Sequence, residues 1–291
     1  MSTPTTQGSA AVAPSFVRSA LRIYDLSLGQ MLWSRRTVFM ALVVGGPVVV
    51  AVLFRTLVAM DLVTTRGVID GRPVMLDGPV IFGLMIWGFY LRFSVPLLGV
   101  FYGTALIADE VEDKTITYLF TRPVSRGAVL VGKYLAYLGC TGLVVLPSVM
   151  LVFFLVVPLL GGSIGTSFPD LMKDLALLAA GLAVYGALFA LVGAWFKRPL
   201  LTGLVFIFGW EPVVVVVPGY MKNLSVAYYL QGLVPHAMPQ DGAMSLLQSV
   251  LQTFQAAPSA WSCVLSLAVI WALTLGAATW AVEQREYVLE Q

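Results

Sequence analysis

Residues 174–196 read DLALLAAGLAVYGALFALVGAWF, an apolar run whose only charged side chain stands at its start. A helix that crosses about 30 Å of hydrocarbon needs about 20 mainly apolar residues, so this run is long enough to span a membrane. Five further runs of the same kind lie on either side of it, at 37–60, 80–107, 134–160, 200–218 and 259–282. The sequence therefore predicts an all-α membrane protein with six transmembrane helices.

The composition of the 291-residue chain agrees with several membrane spans. Hydrophobic residues make up 59% and charged residues only 11%, whereas a soluble domain carries roughly 25% charged residues. This composition excludes a water-soluble enzyme, and a net charge of +2 is too small to indicate a nucleic-acid-binding surface. Two cysteines, Cys140 and Cys263, and one histidine, His236, offer neither a disulfide framework nor a metal centre.

The distribution of lysine and arginine predicts the orientation of the spans. Six spans place both termini on one side, and cytoplasmic segments carry an excess of these residues. The side with the termini holds Arg18, Arg22, Arg35, Arg36, Lys114, Arg122, Arg126, Lys133, Lys197, Arg198 and Arg285. The other side holds Arg66, Arg72, Lys173 and Lys222. We therefore expect both termini to be cytoplasmic.

Three domains follow from this reading: a cytoplasmic N-terminus at 1–36, the six-helix transmembrane domain at 37–282 and a cytoplasmic tail at 283–291. Within 1–36, apolar side chains form one helical stripe, consisting of Val17, Leu21, Tyr24, Leu28, Met31 and Leu32. This stripe predicts an amphipathic helix along the inner membrane surface, the alternative being an ordinary helix packed on the spans.

Two segments are expected on the outer side of the membrane. Residues 61–79 form a polar external loop. The longer external segment, 219–258, alternates turn residues with apolar ones and predicts short helices that rest on the outer surface.

The cytoplasmic connection at 108–133 has an ordered pattern of charge. Four acidic side chains come first, Asp109, Glu110, Glu112 and Asp113, and four basic ones follow, Lys114, Arg122, Arg126 and Lys133. Apolar residues at helical spacing lie between them. Such a helix is suited to docking in a groove of a soluble partner, the alternative being a solvated loop whose charges satisfy topology.

This connection resembles the coupling loop of type-2 ABC-transporter permeases (the ABC-2 family). The resemblance rests on order, spacing and membrane position, and it is carried by Glu110, Thr115, Leu119, the run Arg122-Pro123-Val124-Ser125-Arg126, and Gly132-Lys133. Six spans, an interfacial N-terminal helix and a long external segment before the last span are also similar to that family. One departure is Lys114, where the family usually has glycine.

The resemblance implies a permease subunit of an ABC transporter, an exporter in the bacterial inner membrane. Such a subunit pairs with a second permease, itself or a paralogue, and with two ATP-binding subunits. The residues implied to contact the ATPase are Glu110, Thr115, Leu119, Arg122, Pro123, Ser125 and Arg126. The resemblance further implies that this chain has no catalytic site or cofactor of its own, since the partner ATPase binds ATP and magnesium.

One motif nearly matches a phosphate-binding loop. Gly127 to Tyr134 fits G-x-x-x-x-G-K-[ST] except at its last position, where Tyr134 replaces the hydroxyl residue that would hold magnesium. A phosphate loop also follows a buried strand, whereas this motif opens a membrane helix. We therefore expect no nucleotide to bind this chain.

Three charged side chains fall inside the predicted spans in addition to Asp174 at the start of one, and a central charge costs about 2.5 to 3.5 kcal/mol. Arg55 is close enough to the outer face to extend into water. Arg92 and Glu211 lie at depths of about 23 Å and about 17 Å from the inner face, counted at 1.5 Å per residue. They are predicted either to form an ion pair between the second and fifth spans or to line a polar pathway.

Two other functions remain open on the residues alone. A secondary transporter would use a carboxylate such as Glu211 near the midplane, and a membrane anchor would need none of these features. An intramembrane enzyme is disfavoured, because the predicted spans contain no convergent nucleophile, base or metal set.

Overall fold

The computed structural model describes residues 16–62, 66–69, 72–75, 77–112, 125–216, 220–234 and 259–284. The helices, in chain order, are α1 (Phe16–Leu32), α2 (Arg35–Ala59), α3 (Gly78–Met85), π1 (Ile86–Ser94), α4 (Val95–Leu98), π2 (Gly99–Gly103), α5 (Ala105–Glu112), α6 (Arg126–Val156), α7 (Ile164–Trp195), α8 (Pro199–Val205), π3 (Phe206–Trp210), α9 (Glu211–Val216), α10 (Val226–Gln231) and α11 (Ala260–Gln284). Short 3-10 turns occupy Leu159–Gly161 and Tyr220–Leu224. Two strands, β1 (Arg66–Ile69) and β2 (Arg72–Met75), complete these elements.

Within the described residues, 5 helices are long and apolar enough to cross a membrane. They cover Arg36–Ala59, Gly78–Ala108, Arg126–Val156, Ile164–Trp195 and Ala260–Gln284. The predicted span at 200–218 corresponds to a shorter apolar helix, Pro199–Val214. The prediction of a helical membrane protein is confirmed, and the structure thus describes five long spans and one shorter helix where the sequence predicts six spans.

The span helix Gly78–Ala108 is widened by two π-helical segments, π1 and π2. Pro96, between them, has no N–H and cannot make the usual helical hydrogen bond. π-Helical turns also recur at functional sites. By contrast, α2 runs as α-helix through Pro47.

The core lies around α6 and α7, which pack against each other and against α11. Glycines allow these close approaches, since a Cβ on Gly186 would meet the Tyr137 ring. A hydrogen-bonded chain joins the three helices. Trp271 Nε1 on α11 donates to the Tyr134 hydroxyl at 2.7 Å, and that hydroxyl donates to the carbonyl of Ala183 on α7 at 2.8 Å.

The N-terminal helix α1 packs along the first half of α6. Its buried side chains are small, Ser19, Ala20 and Ser27, and a Cβ on Gly132 of α6 would lie 2.6 Å from the carbonyl oxygen of Ala20. The helix therefore has the contact expected of one packed on the spans. The apolar side chains that remain exposed on it are Phe16, Val17, Leu21 and Leu26.

The segments predicted to be external contain more structure than the sequence predicts. Strands β1 and β2 form an antiparallel pair in the expected polar loop, with Arg66 opposite Met75 and Ile69 opposite Arg72. The two stretches read RGVI and RPVM and lack the alternation of apolar and polar residues that indicates a strand.

The described part of the segment at 219–258 also differs from the expectation of helices resting on a surface. Helix α10 is buried against α7, α11 and π1. Val226 and Leu230 are almost inaccessible, because their apolar side chains fill space between the span helices.

Candidate functional site

Glu211, the first residue of α9, is a buried carboxylate with only 6% of its surface exposed. Its oxygens accept three hydrogen bonds from the start of α10. The Ser225 hydroxyl donates at 2.9 Å, the Val226 amide at 3.2 Å and the Ala227 amide at 3.3 Å. The first amides of a helix have no partner inside the helix, so Glu211 caps α10 from another element.

Ser225 completes this cap from the chain of α10 itself. Its hydroxyl oxygen accepts the Tyr228 amide at 3.3 Å while its hydroxyl hydrogen points to Glu211. The side chain is fully buried. Three backbone amides and one hydroxyl are therefore satisfied by two side chains, and the negative charge lies at the positive end of a helix.

Arg92, on π1, faces the same region from the second span. Its guanidinium carbon lies 5.8 Å from the centroid of the Trp87 ring, within cation–π range. The side chain is exposed in the isolated chain. Among the residues that the structure describes, no direct ion pair joins Arg92 to Glu211, whose carboxylate instead accepts hydrogen bonds from the start of α10.

A cavity of about 300 Å³ lies between Arg92 and Glu211. It is bounded by π1 and π3, the two π-helical segments of neighbouring helices, and by Tyr185 of α7. The other side chains that shape it are mainly apolar: Leu91, Phe93, Pro96, Ile207, Phe208 and Pro212. A mostly apolar cavity with a few polar groups is typical of a small-molecule site.

A second cleft, of about 330 Å³, lies at one end of the helices. Its basic side chains are Arg36, Lys197 and Arg198, and its other lining residues include Thr104, Ala105, Pro199 and Leu200. The start of α2, the start of α8 and the end of the second span thus meet at the same end of the bundle.

Of the residues implied to couple to an ATPase, the structure describes Glu110, Ser125 and Arg126, which belong to the ends of α5 and α6. Glu110 is in α5, which packs against α6. Ser125 is exposed and precedes α6, where its carbonyl accepts the Ala128 amide at 3.0 Å. Arg126 is the first residue of α6. Thr115, Leu119, Arg122 and Pro123 lie outside the described residues.

Gly127 and Gly132 of the near-match to a phosphate loop lie inside α6. Their role in the structure is steric, since Gly132 lets the backbone of α1 approach. The third span thus starts at Arg126 rather than at the predicted 134.

Arg55 uses a backbone partner at the opposite end of the bundle. Its Nη1 donates to the carbonyl of Leu155 at 3.0 Å. Leu155 is in the last turn of α6, where carbonyls lack helical partners and a cation is favourable.

Ser225 is not among the site residues predicted from the sequence. Its local signal is a serine directly before a short apolar stretch, the usual place of an N-cap. Nothing local connects it to Glu211, which lies on a different helix.

These observations define a multi-pass helical membrane protein with a cavity between its span helices. The chain belongs to the ABC-2 family: the profile described as "ABC-2 family transporter protein" matches residues 9–287. It is therefore a type-2 ABC-transporter permease, a class of membrane transport subunit that associates with an ABC ATP-binding subunit. No curated protein gives a significant match to this chain.

Proposed function

We propose that this chain is the permease subunit of an ABC exporter in a bacterial inner membrane. Two ATP-binding subunits bind ATP and magnesium, and a second permease, a copy or a paralogue, completes the transporter. The observation that carries the proposal is the family match across residues 9–287. The proposed domains are the N-terminus 1–36, the transmembrane domain 37–282 and the tail 283–291.

Six crossings with both termini in the cytoplasm are supported by how the helices alternate. Arg36 at the start of the first span and Pro199 at the start of the fifth line the same basic cleft as Thr104, near the end of the second span. The first and fifth spans therefore begin at the end of the bundle where the second span ends. Gly78, at the other end of the second span, lies against the backbone of Val156 and Val157. The basic cleft indicates the cytoplasmic end, because cytoplasmic segments are rich in lysine and arginine.

The connection between α5 and α6 would transmit ATPase movements to the spans. Its proposed contact residues are Glu110, Thr115, Leu119, Arg122, Pro123, Ser125 and Arg126. Both flanking helices pack into the bundle. A displacement of this connection would therefore reach the second and third spans directly.

The cavity between Arg92 and Glu211 is the proposed part of the substrate pathway. It is the place where two π-helical segments, a charged side chain and a buried carboxylate come together. Irregular helices at membrane depth are tolerated where they line a cavity.

The proposal is tested by purifying the tagged protein from its native membranes and identifying the soluble proteins that accompany it. The wild-type chain should bring an ABC ATPase with it. The double change Arg122→Glu/Arg126→Glu should lose it, because like charges would then face the partner.

A matched control is Arg66→Glu/Arg72→Glu, which reverses two arginines of the proposed external loop. This variant should keep the ATPase. A stably inserted protein that brings no ATPase in any form would contradict the proposal and leave a secondary transporter or an anchor.

A secondary transporter is the second candidate because Glu211 is a buried carboxylate on an interrupted helix. Its oxygens are already engaged by three donors from Ser225, Val226 and Ala227. A coupling-ion site would have to break that cap, which favours the ABC permease.

A further inference from the structure

The two charged side chains at the cavity, Arg92 and Glu211, have different partners. This difference decides which substrates the cavity favours. Glu211 is buried and accepts three hydrogen bonds from α10. Its negative charge is directed at the start of that helix. The carboxylate is therefore a structural group rather than one available to a ligand.

Arg92 is the cation that faces the cavity without an acidic partner among the described residues. Its guanidinium carbon lies 5.8 Å from the centroid of the Trp87 ring. A ring face leaves the outer edge of a guanidinium able to donate to an anion. The planar fork of arginine fits carboxylate and phosphate groups with two parallel hydrogen bonds.

Apolar surface continues from the cavity to the outside of the chain. Phe93 and Phe208 line it and are 43% and 58% exposed. Leu91, Pro96 and Ile207 line its inner wall. A volume of about 300 Å³ has room for a headgroup and the start of a chain, but not for a folded polymer.

We infer that this cavity binds an amphipathic anion, with its carboxylate or phosphate on Arg92 and its apolar chain along Phe93 and Phe208. The inference rests on the proposed function only in naming this anion as the transported substrate. An anionic membrane lipid and an amphipathic solute share the required chemistry.

Binding is tested on the purified full-length protein in phosphatidylcholine nanodiscs, with bromine as a quencher of tryptophan fluorescence. The probes are bromine-labelled dodecanoate and bromine-labelled dodecyltrimethylammonium, which differ in the sign of the headgroup. Dodecanoate should quench saturably and the cation should not. Trp87→Phe should remove most of that saturable quenching, since Trp87 lies next to Arg92.

Arg92→Gln should weaken dodecanoate binding on the order of tenfold or more, since hydrogen bonds to charged groups are the strong ones. Arg92→Lys should retain part of the affinity. Arg55→Gln is the matched control, because it removes another membrane arginine that bonds Leu155 and not this cavity. It should leave binding unchanged.

Equal quenching by both probes on the unaltered chain, or undiminished binding in a folded Arg92→Gln, would overturn the inference. Nanodiscs that contain phosphatidylglycerol distinguish an anionic membrane lipid from an amphipathic solute as the bound anion. Competition by this lipid identifies a lipid ligand, and the lack of competition identifies a solute.

ATPase co-purification reports independently on the proposed function. If an ATPase co-purifies but the chain binds no anion, only the anion inference is contradicted. If the chain binds the anion but no ATPase co-purifies, the proposed function is contradicted instead.

Discussion

The Ser225 hydroxyl donates to Glu211 at 2.9 Å, and it joins the starts of α9 and α10, two helices that residues 217–225 separate along the chain. The bond is buried, and its two partners also satisfy the first amides of α10. Because α10 packs against α7, α11 and π1, this one contact positions a short helix among the spans.

We expect Ser225→Ala to lower the free energy of unfolding by about 1 kcal/mol, the usual cost of losing an N-cap. Glu211→Ala should cost about 2 to 3 kcal/mol, because two amides of α10 lose their acceptor in a buried place. Unfolding in mixed detergent micelles measures both values. Thr279→Ala is the control, since its hydroxyl bonds within its own exposed helix turn.

The double change Glu211→Ala/Ser225→Ala should cost less than the sum of the single changes, by about 1 kcal/mol. The reason is that each single change already removes their shared bond. Strictly additive costs would argue against the cap as described.

Arg92 and Glu211 should act independently in transport. These two described side chains form no ion pair with each other, so Arg92→Ala and Glu211→Ala should each reduce ATP-driven transport, and the logarithms of their effects should add in the double variant. Transport by the reconstituted complex measures this. A double variant no worse than the poorer single one would instead indicate a functional pair.

Gly132→Ala should detach α1 from α6. The added Cβ would lie 2.6 Å from a backbone oxygen of Ala20, which cannot move aside as a flexible side chain can. Overpacking of this kind costs about 1 to 3 kcal/mol. Proteolysis after α1 should accelerate, whereas Gly142→Ala on the same helix, with no atom within 4 Å, should behave like the wild type.

Tyr134→Phe should destabilise the junction of α6, α7 and α11. It removes the acceptor of the Trp271 ring N–H and the donor to Ala183, at a cost of about 1 to 2 kcal/mol. Apparent melting temperature in detergent measures the loss. Trp261→Phe, at a 78% exposed position, should have little effect, and an equal effect of both changes would contradict this account.

The spans and the family could be predicted from the sequence because both depend on local signals. An apolar run such as 174–196 needs only length and composition to indicate a membrane helix. The segment from Glu110 to Lys133 carries its family pattern within one short stretch of the chain. The profile match over 9–287 confirms that resemblance.

The partner of Glu211 could not be predicted in the same way. Depth along a helix placed it near Arg92, and both do line one cavity. Depth does not reveal which group a carboxylate faces. In the structure, the Glu211 carboxylate accepts a hydrogen bond from Ser225 rather than from Arg92. The same limit applies to α1, whose contact with Gly132 depends on two helices far apart in sequence.

The sequence by itself determined that this protein is helical, lies in a membrane and belongs to the ABC-2 permeases, because hydrophobic length and contiguous motifs are properties of neighbouring residues. Only the tertiary structure decided that Glu211 caps α10 while Arg92 faces the cavity. Which charge is satisfied internally depends on contacts between distant segments, and in a medium of low polarity those contacts decide which charge is left for a ligand.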